Sequence, residues 1–243
     1  MRSKLLKDTD VIILCGGRGS RLKSITKNKP KPLVKIGDRP FLDILIAYLS
    51  KFGLRRFILA LGYKADKVHE HFLKGPDRGS KIFFSLEKTP LGTGGAVKNA
   101  QHLVLNDYFF VLNGDSFYDI DLSGFLRFCL KKKAFLGAIA LKKIKSGKDY
   151  GTIATDTHGR ITSFNEKNKI SKNCFINGGI YIFKKNIFSK MPRHKKFSLE
   201  NDIFTKLAGV KGFYGYRTKG FFIDIGTPQR LKKARKLVPA RFR

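Results

Sequence analysis

The sequence predicts an α/β fold with a mixed, mainly parallel central sheet. Short apolar runs, typical of buried strands, alternate with helical segments through the first half of the chain. The first run ends in a glycine-rich loop, as parallel strands often do where open α/β sheets bind ligands. The second half is richer in strands and turns. These three observations indicate a parallel sheet that is covered by helices and extended by further strands.

Strands and helices follow one another regularly in the first half. Strands are expected over 11–14, 57–61, 81–86 and 108–112. The helix expected over 41–52 has apolar residues spaced by about 3.6 residues, as at Leu42, Leu45 and Leu49. Further helices are expected over 65–73, over 93–103 and from a cap at Asp121 to Leu130.

The second half reads mainly as strands, expected over 134–141, 152–155, 160–164, 175–183, 213–217 and 221–225. Helices are expected over 198–207 and 228–237, the latter with Thr227 as N-cap and Pro228 at its first position. Since no Pro-, Gly- or Ser-rich linker and no internal repeat interrupts the chain, we expect one domain over 1–243, with halves at about 9–130 and 131–238.

Composition limits the class of protein. The chain has 243 residues, 42% of them hydrophobic, enough for a substantial core despite a net charge of +32. No apolar run approaches the roughly 20 residues that span a bilayer. Cys15, Cys129 and Cys174 are too scattered to indicate a disulfide framework or a zinc site. We expect a soluble, cytoplasmic protein without a secretory signal.

The basic charge is spread along the whole chain, giving an isoelectric point near 10.3. Such a value often indicates nucleic-acid or membrane-surface binding. However, the basic runs are not interleaved with aromatic residues and match no zinc-finger, KH or basic-zipper pattern. Specific nucleic-acid binding is therefore not expected, whereas a positive field would steer a phosphate-bearing substrate towards the protein.

The loop after the first strand reads Leu14-Cys-Gly-Gly-Arg-Gly-Ser-Arg-Leu22. Its glycines allow a tight turn and a close approach of backbone amides to an anion, although their spacing is neither that of a Walker A loop nor GxGxxG. Arg21 offers a planar fork to phosphate oxygens, and Lys31, between two prolines, offers a point charge. Together they favour a phosphate-binding loop over a purely structural turn.

This loop and the following Lys29-Pro-Lys-Pro-Leu33 resemble the signature of the sugar-1-phosphate nucleotidylyltransferases. The resemblance continues to about Ala234, through motifs in the expected order: Glu87-Lys-Thr-Pro-Leu-Gly-Thr-Gly-Gly-Ala96, Asn113-Gly-Asp115, Tyr150-Gly151, Asn165-Glu-Lys167, Asn177-Gly-Gly179 and Ile223-Asp-Ile-Gly226. Ser20, where the family usually has Thr, keeps the hydroxyl, and Cys15, where Ala is common, suggests no new chemistry.

The resemblance implies a Rossmann-like, three-layer fold of the glycosyltransferase-A type, with a nucleotide-binding half and a sugar-phosphate-binding half. It implies that a sugar-1-phosphate oxygen attacks the α-phosphorus of a nucleoside triphosphate and expels pyrophosphate. The implied catalytic residues are Arg21 on the pyrophosphate, Lys31 on the α-phosphate, and Asp115. Asp115 and Asp224 are the implied ligands of a Mg²⁺ cofactor.

The implied binding residues form two groups. The nucleotide group is Leu14, Gly16, Gly17, Gly19, Glu87, Leu91 and Gly92. The sugar-phosphate group is Gly151, Glu166, Lys167 and Asn177. Plainer interpretations stay open, since a carboxylate can cap a turn, a Glu-Lys pair can be an exposed ion pair and an Asn-Gly-Gly run can be a bulge.

The motif details most resemble the heptose branch of the family, the D-glycero-D-manno-heptose 1-phosphate guanylyltransferases, which would use GTP to make a GDP-heptose for surface polysaccharide. Uridylyltransferases acting on N-acetylmuramate or hexose 1-phosphates share most motifs and are an alternative. A glycosyltransferase with a metal at Asp119 and Asp121 is an alternative of another class, although it would need no pyrophosphate clamp. A nucleic-acid-binding protein is the third alternative.

Overall fold

The structure is a computed structural model that describes residues 4–7, 9–17, 19–22, 29–75, 79–146, 151–165 and 172–241. Its strands are β1 (Asp10–Leu14), β2 (Lys35–Ile36), β3 (Arg39–Pro40), β4 (Arg56–Leu61), β5 (Lys81–Leu86), β6 (Tyr108–Asn113), β7 (Ser116–Tyr118), β8 (Gly137–Ser146), β9 (Thr152–Thr155), β10 (Ile161–Asn165), β11 (Lys172–Lys184), β12 (Phe213–Thr218) and β13 (Phe222–Asp224). Its α-helices are α1 (Lys4–Lys7), α2 (Phe41–Lys51), α3 (Ala65–Leu73), α4 (Gly92–Asn99), α5 (Leu122–Leu130), α6 (Thr205–Leu207) and α7 (Pro228–Leu237). Short 3-10 turns cover Ser20–Leu22, Lys31–Leu33, Ala100–Leu103, Lys185–Lys190 and Pro239–Arg241, and a π-helix covers Leu199–Phe204.

Nine of the described strands form one mixed sheet. Four of them are parallel and lie side by side in the order β5, β4, β1, β6. β11 runs antiparallel to β6, and β8, β9, β10 and β12 extend the sheet around it. The predicted mixed, mainly parallel sheet is therefore confirmed.

Both faces of the parallel strands are buried, which explains their continuous apolar sequences. In β1, Val11 and Ile13 face a core formed with α2, α3, α5 and α7, whereas Ile12 faces a second core formed with α4 and the π-helix. β4 alternates in the same way, with Phe57 in the first core and Ile58 in the second. Among the helices that the structure describes, none combines the length and apolar character needed to cross a membrane.

The long strand β11 joins the two halves of the sheet. Ile180 pairs with Leu112 of β6, and Ile176 pairs with Thr152 of β9, so β6 and β9 lie end to end along one edge of β11. The register of β11 against β8 shifts between Asn177 and Tyr181, which marks a bulge. The bulge therefore lies where β6 ends and β9 begins.

The helix boundaries follow local side-chain hydrogen bonds. Asp121 caps α5 by accepting from the Gly124 amide at 2.9 Å, and Thr227 caps α7 ahead of Pro228, both as predicted. The helix expected over 93–103 ends at Asn99 and continues as a 3-10 turn, a common tightening of a last turn.

The helix expected over 198–207 is instead mostly a π-helix. The Thr205 hydroxyl donates to the Asn201 carbonyl, and the Thr205 amide donates to the Glu200 carbonyl one residue further back. Because the hydroxyl takes the Asn201 carbonyl, the Thr205 amide bonds to a carbonyl five residues back, which gives the wider turn of a π-helix.

Candidate active site

A cavity of about 550 Å³ opens at the carboxyl edge of the parallel strands. Its walls come from segments that follow β1, β4, β5 and β6, because the carboxyl ends of parallel strands meet at one edge of a sheet. The predicted site residues that line it are Leu14, Gly16, Gly17, Glu87, Gly92 and Asp115. The structure thus brings together residues that lie up to 101 positions apart, from Leu14 to Asp115.

Gly16 places the first loop against the ends of its neighbours. Its carbonyl accepts a hydrogen bond from the Tyr63 amide at 3.2 Å. An alanine here would bring its Cβ to 2.8 Å from Glu87 Oε1 and 3.3 Å from the Gly62 amide nitrogen. A Cβ at Gly17, in contrast, would have nothing within 4 Å. The loop therefore packs tightly on one side and is open on the other, towards the cavity.

Glu87 is a half-buried carboxylate in the cavity wall, immediately after β5. Its Oε2 accepts a hydrogen bond from the Leu91 amide at 3.0 Å, which fixes the turn that leads to Gly92 and α4. Burial raises the pKa of Glu87, and the Leu91 amide partly offsets that effect. The side chain is thus a fixed acceptor in partly dry surroundings.

Lys31 and Asp115 form an ion pair at the cavity edge, where Lys31 Nζ donates to Asp115 Oδ2. The aliphatic part of Lys31 packs against Gly19, since a Cβ at Gly19 would lie 3.5 Å from both Cβ and Cδ of the lysine. Gly19 has a φ of +60°, a conformation that favours glycine. The glycine loop therefore positions Lys31 as well as lining the cavity.

Asp224 arrives at the same edge from the other end of the chain. β13 pairs antiparallel with β7, placing Asp224 opposite Ser116, and the Ile225 amide donates to the Asp115 carbonyl at 2.9 Å. Asp224 Oδ1 accepts from the Gly226 amide at 2.8 Å. The two predicted metal ligands are consequently neighbours in the backbone, with Asp224 at the end of β13 and Asp115 directly before β7.

One guanidinium group contacts Asp224, and a second lies beside Gly226. Arg230 Nη1 lies 3.0 Å from Asp224 Oδ2 and 3.3 Å from Oδ1. Arg21 is exposed beside Gly226, where an added Cβ would lie 3.7 Å from Arg21 Nη2. This edge therefore holds the two carboxylates together with the cations Lys31, Arg21 and Arg230.

Asn177 occupies the bulge of β11, next to the start of β9. Its Nδ2 donates to the buried Tyr181 hydroxyl at 2.9 Å, and its Oδ1 accepts from the Gly179 amide at 2.8 Å. Gly151 directly precedes Thr152, which pairs with Ile176. The Asn177-Gly-Gly179 run does form a bulge, which lies between the end of β6 and the start of β9.

Asp119 and Asp121 are engaged in structural contacts. Asp121 caps α5, and the Asp119 carboxylate accepts from Tyr48 at 3.2 Å and from Arg241 at 3.3 Å. These contacts agree with the capping interpretation and not with a metal site at this pair.

Some residues of the cavity wall were not among the predicted site residues. They are Tyr63, Lys88, Thr93 and Asn113. The last three lie within the family motifs at 87–96 and 113–115, and Tyr63 follows a predicted parallel strand just as the glycine loop does. Arg230 was not singled out either. Two predicted residues, Glu166 and Lys167, lie outside the described residues.

The donor set at Asp115 and Asp224 fits a hard divalent cation bound jointly with phosphate. Within the described residues, no cluster of three or more His, Cys, Asp or Glu side chains comes together. Mg²⁺ commonly takes one or two carboxylates and completes its sphere with substrate phosphates and water. Asp224 at the end of β13 and Asp115 directly before β7 supply the two carboxylates.

Comparison with known proteins gives concordant matches. The sequence profile of the family described as "Nucleotidyl transferase" matches residues 10–241. The D-glycero-alpha-D-manno-heptose 1-phosphate guanylyltransferase of Campylobacter jejuni subsp. jejuni serotype O:2 is 43% identical over 90% of this chain and 95% of its own length. The protein of the same name from Aneurinibacillus thermoaerophilus is 39% identical over 93% of this chain and 97% of its own length.

A solved structure agrees over nearly the whole chain. The crystal structure of HddC from Yersinia pseudotuberculosis complexed with GMP-PN has 37% sequence identity and a TM-score of 0.83, and the match covers 97% of this chain and 100% of that one. The predicted Rossmann-like fold is confirmed by this match. Because the profile and these relatives align over at least 90% of its length, this chain belongs to the nucleotidyl transferase family.

Proposed function

We propose that this enzyme transfers a guanylyl group from GTP to D-glycero-D-manno-heptose 1-phosphate, giving a GDP-heptose and pyrophosphate. The single observation that carries the proposal is the cavity edge at which Lys31, Asp115 and Asp224 converge beside the glycine loop. The heptose and the guanine follow from the names of the two curated relatives, which align over nearly their full lengths. We place the reaction in the cytoplasm, where GTP is available.

The chain has mainly to position phosphates and neutralise their charge. An oxygen of the sugar 1-phosphate forms a bond to the α-phosphorus, while the bond from that phosphorus to the oxygen bridging the α- and β-phosphorus atoms breaks and its electron pair leaves with pyrophosphate. Lys31 places an ammonium group beside the α-phosphate, and Arg21 offers its guanidinium to the pyrophosphate. The backbone of Gly16, Gly17 and Gly19 receives the phosphate chain.

Asp115 and Asp224 would hold Mg²⁺, which when bound polarises phosphoryl oxygens and neutralises their charge. The protein's own contribution is to bring the backbones of the two aspartates together. It does so through the amide of Ile225 and the carbonyl of Asp115, 2.9 Å apart.

Glu87 supports guanine as the base. Guanine presents two kinds of donor on its pairing edge, the ring N1–H and the exocyclic amino group, and an ionised carboxylate is an acceptor-only group that suits both. Glu87 Oε2 already accepts from Leu91, and the carboxylate lines the cavity. Leu14 and Gly92 line the same cavity, and Leu91 contributes through the amide that holds Glu87.

The sugar phosphate would bind beyond the end of β6, in the gap at the bulge of β11. Asn177 and Gly151 lie at that gap. Asn177 follows Ile176 in β11 and Gly151 precedes Thr152 of β9, so both lie just beyond the Ile176–Thr152 pair. Glu166 and Lys167 are proposed to contact the sugar hydroxyls and the phosphate, respectively, as the family resemblance implies.

The direct test is pyrophosphate release with Mg²⁺ across a grid of substrates. GTP, UTP, CTP and dTTP are crossed with heptose, mannose, glucose, N-acetylglucosamine and N-acetylmuramate 1-phosphates. We expect release with GTP and the heptose phosphate. Release confined to UTP with a hexose or N-acetylmuramate phosphate would overturn the substrate assignment and keep the chemistry. Release of a nucleoside diphosphate from a nucleotide sugar would overturn the reaction itself.

A further inference from the structure

Each of the two carboxylates proposed as metal ligands is already paired with a cation of its own chain. Asp115 accepts from Lys31, and Asp224 accepts from Arg230. Lys31 has a role in the proposed chemistry, but Arg230 has none so far. Arg230 therefore occupies the carboxylate of Asp224, which the divalent cation would also need.

Both partners of the contact between Arg230 and Asp224 are fixed by further hydrogen bonds. Nη1 of Arg230 lies within 3.3 Å of both carboxylate oxygens, and the Gly226 amide holds one of them. Arg230 is in the first turn of α7, which Thr227 fixes by accepting from the Arg230 amide. The Asp224 side chain is only 11% exposed, so the pair is less weakened by solvent than a surface ion pair.

The charges at this edge disfavour a bare cation. Among the side chains that the structure describes at this edge, Arg21, Lys31 and Arg230 carry three positive charges, and Asp115 and Asp224 carry two negative ones. A divalent cation arriving alone must displace Arg230 and meets a net positive edge, whereas a triphosphate brings negative charge with the metal.

We propose that Arg230 is a positioning residue that acts as the internal counterion of Asp224 and makes metal binding depend on the nucleotide. This inference rests on the proposed function, because it takes Asp224 as a metal ligand. In this enzyme, the free protein binds the divalent cation weakly, and the metal binds firmly only together with the triphosphate.

The test measures Mn²⁺ binding to the full chain by electron paramagnetic resonance, with and without a GTP analogue carrying a methylene group between the α- and β-phosphorus atoms. Without nucleotide, we expect Arg230→Gln to bind Mn²⁺ about tenfold more tightly than the wild type, because the competing charge is gone. Lys232→Gln, an exposed change on the same helix that removes the same charge, should leave the affinity unchanged.

Whether the Mn²⁺ affinity of Arg230→Gln rises or falls relative to the wild type decides the proposal. Equal or weaker Mn²⁺ binding by Arg230→Gln would overturn it, since a residue that only orients Asp224 would give a loss. Arg230→Met serves as the second variant should the first not fold; it keeps the aliphatic part of the side chain, removes the charge and should give the same gain in affinity. An affinity equal to that of the wild type in a folded methionine variant would likewise overturn the proposal.

A further variant separates this inference from the proposed function. Adding Asp224→Asn to Arg230→Gln should abolish the gain in affinity. If Asp224→Asn leaves Mn²⁺ binding unchanged even with the GTP analogue, the metal assignment in the proposed function fails. If it lowers that binding while Arg230→Gln brings no gain, only the role of Arg230 fails.

Discussion

The backbone amide of Ile225 donates a hydrogen bond to the carbonyl of Asp115 at 2.9 Å, although 110 residues separate them. This contact extends the pairing of β7 with β13 and brings the backbones of Asp115 and Asp224 side by side. Two short strands, β7 and β13, therefore determine the geometry that the proposed metal needs.

Replacing Asp115 by Asn should lower turnover by more than about a hundredfold, because it weakens metal binding and removes the charge that Lys31 pairs with. The side chain keeps its volume, so the fold should survive. Pyrophosphate release and thermal unfolding measure the two effects. Asp107→Asn, an exposed change in the loop before β6, is the matched control and should behave as the wild type does. Near-normal turnover of Asp115→Asn would contradict the assignment.

Gly16→Ala and Gly17→Ala should differ in stability. A Cβ at Gly16 collides with Glu87 at 2.8 Å and presses on the backbone of Gly62, whereas a Cβ at Gly17 meets nothing. We expect Gly16→Ala to cost about 1–3 kcal/mol of unfolding free energy and Gly17→Ala to cost less than about 0.5 kcal/mol. Urea denaturation of both variants checks this. Equal stabilities would mean that the loop does not pack as described.

Glu87→Gln should weaken GTP binding and change the pH dependence of stability. A glutamine offers an amide donor in place of one acceptor oxygen, so KM for GTP should rise by about ten- to a hundredfold. Burial raises the pKa of Glu87 above its value in the unfolded chain. Ionisation of Glu87 therefore opposes folding, and its contribution to stability is largest below about pH 4 and is lost as the pH rises through the raised pKa.

The melting temperature tests this sign. Relative to the wild type, Glu87→Gln should gain melting temperature as the pH rises from about 4 to 8. A difference that is constant over this range would show that Glu87 titrates as it does in the unfolded chain.

Tyr181→Phe should affect the sugar-phosphate side of the site. It removes the buried acceptor of the Asn177 side-chain amide, which should cost about 1–3 kcal/mol of stability and loosen Asn177. KM for the sugar phosphate should rise, while KM for GTP stays close to that of the wild type. Tyr214→Phe, at a half-buried tyrosine on β12, is the control in both assays. A rise in KM for GTP alone would place Asn177 on the nucleotide side.

Much of the fold is local in origin and could be predicted. The boundaries of α3, β5, β9 and α7 match the expected ranges 65–73, 81–86, 152–155 and 228–237. They could be predicted because apolar periodicity and the Thr227 cap depend on residues that are close in the sequence. β7 was missed because its three residues become a strand only by pairing with β13, in which Ile223 lies opposite Phe117 at a distance of 106 positions along the chain.

The site divides in the same way. The glycine loop, Arg21 and Lys31 predict a phosphate site from short motifs, and the family resemblance adds Asp115 and Asp224; the structure brings these segments to one edge of the sheet. Tyr63 carries no motif, and its position depends on the neighbouring loop. Arg230 reads as one of many basic residues on an amphipathic helix, and only the folded chain shows that its partner is Asp224.

The continuity of β11 has a consequence for building chimeric enzymes. Because one strand pairs with both β6 and β9, no crossover point falls between the proposed nucleotide-binding half and the proposed sugar-binding half. A graft that imports the sugar-binding half of a relative has to carry all of β11 and keep both the Ile180–Leu112 and the Ile176–Thr152 registers. A one-residue slip in either would turn the bulge, and Asn177 with it, away from the gap. Exchange of sugar specificity within this fold is therefore a matter of strand register as much as of side-chain choice.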